Sequence, residues 1–365
     1  MAWIHQHPQW PHFHWNAADI AEKLGQVRHQ QGLLLGKLGT LGFDLQQQAS
    51  LDALTDEVLN TSAIEGEHYS RPEVRSSLAR RLGLEVGGLV PVRRDVEGIV
   101  EVMLDATQQY AQPLTAERLF GWHAALFPTG YSGMHRITVG AWRNGPMQVV
   151  SGAMGRERVH FEAPAADRLG LEMNAFLTWF EANQKLDLIL KAALAHFWFV
   201  TIHPFDDGNG RIARAIADLM LARSDRRPER FYSMSTQIER ERSVYYRQLE
   251  FQQRDTPDLT EWLNWFLGCL GRSLAQTHDT LAAVLFKDRV WRQAQRGPIH
   301  ERQRLVLNRL LDGFQGHLTT GKYAKLAKCS SDTALRDINA LVQRGVLLKN
   351  ASGGRSTSYR LNEGL

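Results

Sequence analysis

Between Thr201 and Arg214 the chain reads TIHPFDDGNGRIAR, a histidine, two aspartates, two glycines around an asparagine and two arginines within fourteen positions. Gly208 and Gly210 flank Asn209 and lead into the helix-compatible run RIARAIADLML. A bare loop feeding a helix start leaves backbone N–H groups free to hold phosphate oxygens. Arg211 and Arg214 are three apart, so they share a helix face and can take further phosphate charge. Asp207 is a hard oxygen donor placed to hold Mg2+ against those phosphates. His203, with an ordinary pKa near 6.5, is largely neutral at cytosolic pH and free to accept a proton. Phe205 and Pro204 read as the anchor that fixes this loop in the core. Each residue alone fits a capped turn with a core histidine; together they suit nucleotide phosphate chemistry with one base.

These residues need a rigid support, and the flanking sequence supplies one. Helical periodicity covers residues 17–37, 45–64, 71–83, 92–110, 114–126, 165–183, 185–202, 209–223, 237–253 and 258–288. Between 136 and 164 the text turns glycine-rich, and the runs MQVV and RVHF predict a β-hairpin set into a helical body. In the helix from Leu45, Leu51, Leu54 and Val58 define one buried stripe that continues to Ser62 and Glu65. A carboxylate on a buried stripe needs a cation. Two arginines stand in the anion site. A helix-ending Glu65 followed by Gly66 as C-cap fits the same letters.

Composition narrows the class. The 365 residues are 43% hydrophobic and 22% charged, with net charge +4 and a pI near 9.1. That excludes a disordered chain and only weakly suggests polyanionic partners. LILKAALAHFWFVTI, the most apolar stretch, is broken by Lys191 and His196, so no membrane span and a cytoplasmic location are expected. Cys269 and Cys329 lie far apart without metal-ligand spacing and read as packing residues. His5, His7, His12 and His14 lie close enough for a metal site, but three tryptophans and two prolines among them favour a packed arm.

The string His203–Arg214 resembles the signature of the Fic family, HPF, any residue, Asp or Glu, GN, Gly or Lys, R, two of any residue, R, and matches it at every fixed position. The resemblance implies a mainly α fold, a Fic helical core with a β-hairpin flap that positions a target. It implies transfer of AMP from ATP to a protein hydroxyl, autoinhibited by Glu65. His203 would be the base, Asp207 the Mg2+ ligand, Gly208, Asn209 and Gly210 the anion hole, and Arg211 and Arg214 the holders of the β and γ phosphates. Tyr246 and Gln253 would lie along the ATP site; the family often has asparagine where Gln253 stands, which leaves the base preference open. TSAIEG, Thr61 to Gly66, resembles the family's inhibitory motif in its N-terminal class, with Glu65 paired to Arg214 and Thr61 or Ser62 bracing the helix. The same cradle would also suit transfer of UMP, phosphocholine or phosphate, and Glu65 would be placed to orient a water for removal of AMP.

After QRGPIHERQ the pattern restarts as three helices and two strands around Gly353–Gly354, an order that resembles a winged helix-turn-helix, a small α+β domain. The segment SSDTALRDINALVQRG would bury Leu335, Ile338, Leu341 and Val342 and turn Arg336 and Arg344 outward, with Lys349 and Arg355 on the wing and Lys322, Lys325 and Lys328 nearby. Such a surface suits a DNA backbone, whereas Asp332 and Asp337 also suit a protein dock. The expected domains are an N-terminal arm and helix (1–40), a catalytic domain (41–290) that includes the inhibitory helix 45–66, and the winged helix (291–365). Expected partners are a target protein, the chain itself as substrate or homodimer, and nucleic acid through the winged helix. A rival reading is a nucleotide-sensing DNA-binding regulator on the same fold.

Overall fold

The computed structural model describes residues 2–39, 41–84, 90–151, 158–183, 185–254, 256–311, 314, 316–350 and 357–364. Two compact units divide between Thr277 and His278. The first holds α1 (Ala17–Leu38), α2 (Phe43–Ile64), α3 (Arg71–Arg81), α4 (Arg94–Gln108) and α5 (Ala116–Leu126). Two small hairpins follow, β1 (Tyr131–Ser132) with β2 (His135–Arg136), and β3 (Gln148–Ser151) with β4 (Arg158–Glu162). Then come α6 (Leu169–Glu181), α7 (Leu188–Ile202), α8 (Asn209–Asp225), α9 (Met234–Arg240), α10 (Arg242–Gln252) and the long α11 (Thr260–Ala294), within which the division falls. The second unit has α12 (Glu301–Leu311), β5 (Leu318–Thr319), α13 (Thr320–Ala327), α14 (Ser331–Gln343), β6 (Leu347–Lys349) and β7 (Ser358–Leu361), with its strands in the antiparallel order β5-β7-β6.

The core of the first unit is α7, buried on nearly every side, as a helix apolar all round must be. Its two polar interruptions each find a partner. Lys191 Nζ donates to the Ala182 carbonyl at 2.8 Å, and His196 Nε2 meets the Tyr245 hydroxyl at 3.0 Å. Burial holds His196 down at about 3, so it packs as a neutral ring. Helix α8 packs against α7, α2, α4 and α5 close on α8, and α9 packs on α2. Where α4 meets α5, a Cβ on Gly98 would come 1.9 Å from the Ala125 carbonyl oxygen. Gly98→Ala must therefore push two helix backbones apart; a loss of at least about 1–3 kcal/mol is expected, read as a lowered thermal midpoint.

The expected 237–253 helix is two helices. The break falls at Glu241, whose carboxylate is held by Arg272 Nε and Nη2, each at 2.6 Å, so a side-chain clamp replaces helical continuity. The predicted hairpin forms with its strands in the expected runs; its connecting residues, and the Gly353–Gly354 turn with Arg355, lie outside the described residues. The short hairpin β1–β2 and strand β5 carry no sequence pattern long enough to read. In α14 the buried line runs through Ala334, Ile338 and Leu341, which turns Leu335 to the rim at 43% exposure, contrary to the expected burial.

The N-terminal arm packs, as its aromatics require. Trp3 and His5 meet Phe161 of β4 edge-on, while Trp10 and Phe13 pack on Trp198. No group of three metal-ligating side chains exists among the described residues, and none of their helices is long and apolar enough to cross a membrane.

Candidate active site

Helix α7 ends at His203, whose φ of 52° is left-handed, a conformation that costs a non-glycine residue about 1 kcal/mol or more and is held only where the surroundings over-determine it. Arg143, itself buried, does much of that. Its Nε donates to the His203 carbonyl at 2.8 Å, its N–H to the Pro204 carbonyl at 2.9 Å and its Nη2 to the Pro164 carbonyl at 2.6 Å. Phe205 is fully buried and stacks on His123 at 4.2 Å and 6°, which bears out its reading as the loop's anchor. Burial holds His123 at about 4, so its neutral ring takes the Gly140 N–H on Nδ1 and donates from Nε2 to the Asp207 carbonyl at 3.2 Å.

The His203 imidazole is poised as an acceptor. Its Nδ1 faces the Val200 carbonyl at 3.1 Å, which can only accept, so Nδ1 carries the proton and Nε2 keeps its lone pair. Burial foremost, and Arg143 as well, lower its pKa, while the Val200 carbonyl, Glu65 and Asp207 oppose the shift. The side chain lines a cavity of about 610 Å³ together with Glu65, Gly210, Tyr246 and Gln253, a volume suited to a small-molecule ligand.

Gly208, at φ 80°, caps α8, and helical bonding begins with the Ile212 N–H on the Gly208 carbonyl at 3.0 Å. The amides of Asn209, Gly210 and Arg211 precede that bond, which makes the turn an anion cradle. Asn209 serves it by backbone alone. Its side chain is spent bracing the loop, accepting from Phe205 N at 2.9 Å and donating to the Phe205 carbonyl at 2.8 Å. Asp207 sits at the mouth, where its carboxylate accepts from the Ser132 hydroxyl and the Gly208 N–H.

Both arginines are buried, and both are met by acids from one short segment. Arg214 Nη2 donates to Glu65 Oε1 at 2.7 Å and to the Thr61 carbonyl at 2.8 Å, and its Nε to Thr61 Oγ1 at 2.8 Å. Burial would lower the Arg214 pKa, but Glu65 beside it outweighs that and raises it. Arg211 Nη1 donates to Glu67 Oε2 at 2.6 Å. Each guanidinium still keeps a buried nitrogen without a partner among the described residues, Arg214 Nη1 and Arg211 Nε. The Glu65 carboxylate fills the cradle itself: a Cβ on Gly210 would lie 2.1 Å from Glu65 Oε1.

The two readings of Glu65 are one structure. Glu65 is the C-cap of α2, Gly66 follows at φ 85°, and the Glu67 N–H reaches back to the Ser62 carbonyl at 3.0 Å. This cap turns the chain so that two carboxylates face two guanidinium groups. Thr61 provides the expected brace, whereas Ser62 is buried with its hydroxyl unpartnered. Helix α2 is itself tied down: Glu57 Oε2 accepts from Ser233 Oγ at 2.8 Å and Ser235 N at 3.0 Å. Burial and the neighbouring Glu57 carboxylate push Asp218 of α8 well above the usual carboxylate range, although the Arg230 guanidinium bonded to it at 2.8 Å opposes the shift.

Residues 113–221 match the profile of the Fic/DOC family. The chain carries a Fic domain. Residues 3–84, ahead of it, match a domain of unknown function, DUF4172. Among curated proteins the chain is similar to protein adenylyltransferase fic-1 of Caenorhabditis briggsae, 30% identical over 46% of this chain and 31% of that protein. It is also similar to protein adenylyltransferase Fic of Aedes aegypti, 25% identical over 70% of this chain and 49% of that one. The chain thus spans half or less of the length of these relatives. Of solved structures, a Fic family protein from Desulfovibrio desulfuricans superposes at a TM-score of 0.56 and 19% identity, covering 96% of this chain and 98% of that one. A Fic domain containing signaling protein from Bacteroides thetaiotaomicron gives 0.52 at 20% identity, over 71% and 95%. These two likenesses establish the fold.

Around the Fic domain, sequence reasoning missed Glu67 and Arg143. Glu67 lies past the helix end, where periodicity stops; its one signal was a second acid beside a motif holding a second arginine. Arg143 lies in glycine-rich text with no pattern to single it out. Tyr246, named for the nucleotide site, donates from its hydroxyl to the Ile64 carbonyl at 3.0 Å and lies 3.4 Å from Glu65 Oε2. Gln253 is buried, with its amide turned to Thr201 Oγ1 at 3.3 Å.

Proposed function

We propose that this chain is a protein adenylyltransferase that moves AMP from ATP to a hydroxyl of a target protein and of itself, and that residues 61–67 hold it shut. One observation carries the reading: a neutral imidazole with a free Nε2 and the bare helix start at Gly210 line one cavity with Glu65, whose carboxylate is held by the buried Arg214. The names of the curated relatives support it.

The orphaned guanidinium nitrogens beside the cradle fit a ligand with several anionic oxygens, and a triphosphate meets that need. The amides of Asn209, Gly210 and Arg211 would take the α phosphate region, since the Gly208 N–H is held by Asp207, with the Arg211 and Arg214 side chains on the β and γ phosphates. The target hydroxyl oxygen attacks the α phosphorus, His203 Nε2 takes its proton, and the bond to the bridging oxygen breaks to release pyrophosphate. Asp207, with the Ser132 hydroxyl beside it, is a hard-oxygen set of the kind Mg2+ accepts, and the ion when bound would offset phosphate charge. Tyr246 and Gln253 would border the nucleoside. In this reading α2 is an N-terminal inhibitory helix: Glu65 takes the place of the γ phosphate on Arg214, and Glu67 engages Arg211. The second unit reads as a winged helix-turn-helix, since α13 and α14 are joined by a three-residue turn and followed by the β6–β7 ribbon.

Incubation with Mg2+ and ATP labelled at the α or the γ phosphate tests the reaction class. Protein-bound α label is expected; γ label would mean phosphoryl transfer, and neither label would point to another donor. The pH dependence follows from His203. Its working form is neutral, and burial lowers its pKa below 6.5, so kcat/KM should hold from neutrality down through pH 6.5 and fall only below it. An acid limb centred above 6.5 contradicts the assignment of the base.

A further inference from the structure

The chain's charge is unevenly shared. Residues 278–365 hold 15 Lys and Arg against 7 Asp and Glu, a surplus of eight in a chain whose net charge is +4, so the first 277 residues are net acidic. A basic module attached to an acidic body is the electrostatic footprint of a polyanion site.

We propose that this second unit binds duplex DNA, with α14 in the major groove. Its two helices have the order and spacing for it. Helix α13 ends at Lys328, in a left-handed turn at φ 49°, and Ser330 caps α14 by accepting the Thr333 N–H at 3.3 Å. Ala334, Ile338 and Leu341 face the unit's own core with Tyr323 of α13, so the opposite face of α14 is presented outward. That face carries Arg336, Asn339 and Gln343, all exposed. They span about 10 Å of helix, the length of roughly three base pairs. A guanidinium and two amides are the side chains that bond guanine and adenine edges in pairs, and Leu335 beside them suits a thymine methyl. Arg336, Lys325 and Lys328 form no ion pair with any described residue, which leaves the guanidinium for a base edge and the two ammonium groups for phosphates.

Two corrections to the sequence reading bear on this choice. Asp337, one of the two acids that favoured a protein dock, is buried: it accepts from the Tyr323 hydroxyl at 3.1 Å and Arg302 Nε at 3.1 Å. Arg344 is turned away from the face, its Nη1 donating to the Ala294 carbonyl at 3.0 Å and its Nη2 to that of Pro298 at 2.8 Å. Asp332 is the acid left on the face, in the first turn, where a carboxylate suits the helix start. A protein dock would offer a broader apolar centre than the single leucine. The deep, narrow major groove of duplex RNA excludes a helix, which leaves DNA.

The test is fluorescence anisotropy of the full chain with a labelled duplex DNA pool of randomised centre, followed by selection of bound sequences. Four lysines on phosphates (Lys322, Lys325, Lys328 and Lys349) predict that affinity falls about 100-fold between about 50 and 200 mM salt. The combined Lys325→Gln, Lys328→Gln and Lys349→Gln chain should bind every sequence at least about tenfold more weakly, with a shallower salt slope. Arg336→Ala should instead relax the selected sequence at one position. All four side chains are exposed, so thermal midpoints should not move. Absence of binding at low salt, binding untouched by the lysine changes, or equal retention of duplex RNA would each overturn the proposal. The outcome is independent of the AMP-transfer reading, because no residue changed lies in the first unit.

Discussion

Changing Glu65 to glycine is expected to raise self-modification with α-labelled ATP and Mg2+ by about ten- to a hundredfold. The size follows from the contact removed. Glu65 makes a charge-assisted bond of 2.7 Å to a fully buried guanidinium, the kind of interaction worth about 1.5–3 kcal/mol. In the proposed binding mode ATP has to displace it, and each 1.4 kcal/mol shifts an equilibrium tenfold. Removal also empties the space above Gly210 that the carboxylate fills. Glu67→Gln should act in the same direction but less, since Glu67 is 41% exposed and water already competes for it. The two changes together should exceed either alone. Labelling that stays at the level of the unaltered chain in the double variant would show that these acids are structural caps only.

In that released background, His203→Ala is expected to lower transfer by about 10²- to 10⁴-fold, the usual worth of a general base. The loss should fall on kcat rather than on nucleotide affinity, because in the proposed binding mode the α8 turn and the arginines hold the phosphates. A fall in ATP affinity equal to the fall in rate would mean instead that the left-handed turn at position 203 shapes the cradle.

Much of this site was legible because it is local. His203, Asp207, the glycines and the arginines lie on one loop and one helix turn, where spacing fixes neighbours. The stripe of α2 also pointed to Glu65, since Leu51, Leu54 and Val58 are fully buried and their line leads to it. What sequence could not supply was direction after a helix ends. Glu67 reaches Arg211 only because Gly66 turns left-handed, and Asn209 faces its own loop because the Phe205 amide and carbonyl are within its reach. Long-range partners were the other gap. Arg143 meets the loop from far upstream in sequence, and Arg344 turns inward because the chain at 294–298 offers three carbonyls. Helix faces were read to within one residue's rotation, which was enough to misplace Leu335.

The most direct measurement is a crystal structure of the Glu65→Gly chain with Mg2+ and a non-hydrolysable ATP analogue. The triphosphate should lie on the amides of Asn209, Gly210 and Arg211, with the γ phosphate bonded to Arg214 where Glu65 Oε1 now sits and the α phosphorus facing His203 Nε2. A nucleotide bound elsewhere, or in the cavity with Arg214 unengaged and His203 remote from the α phosphorus, would contradict the account.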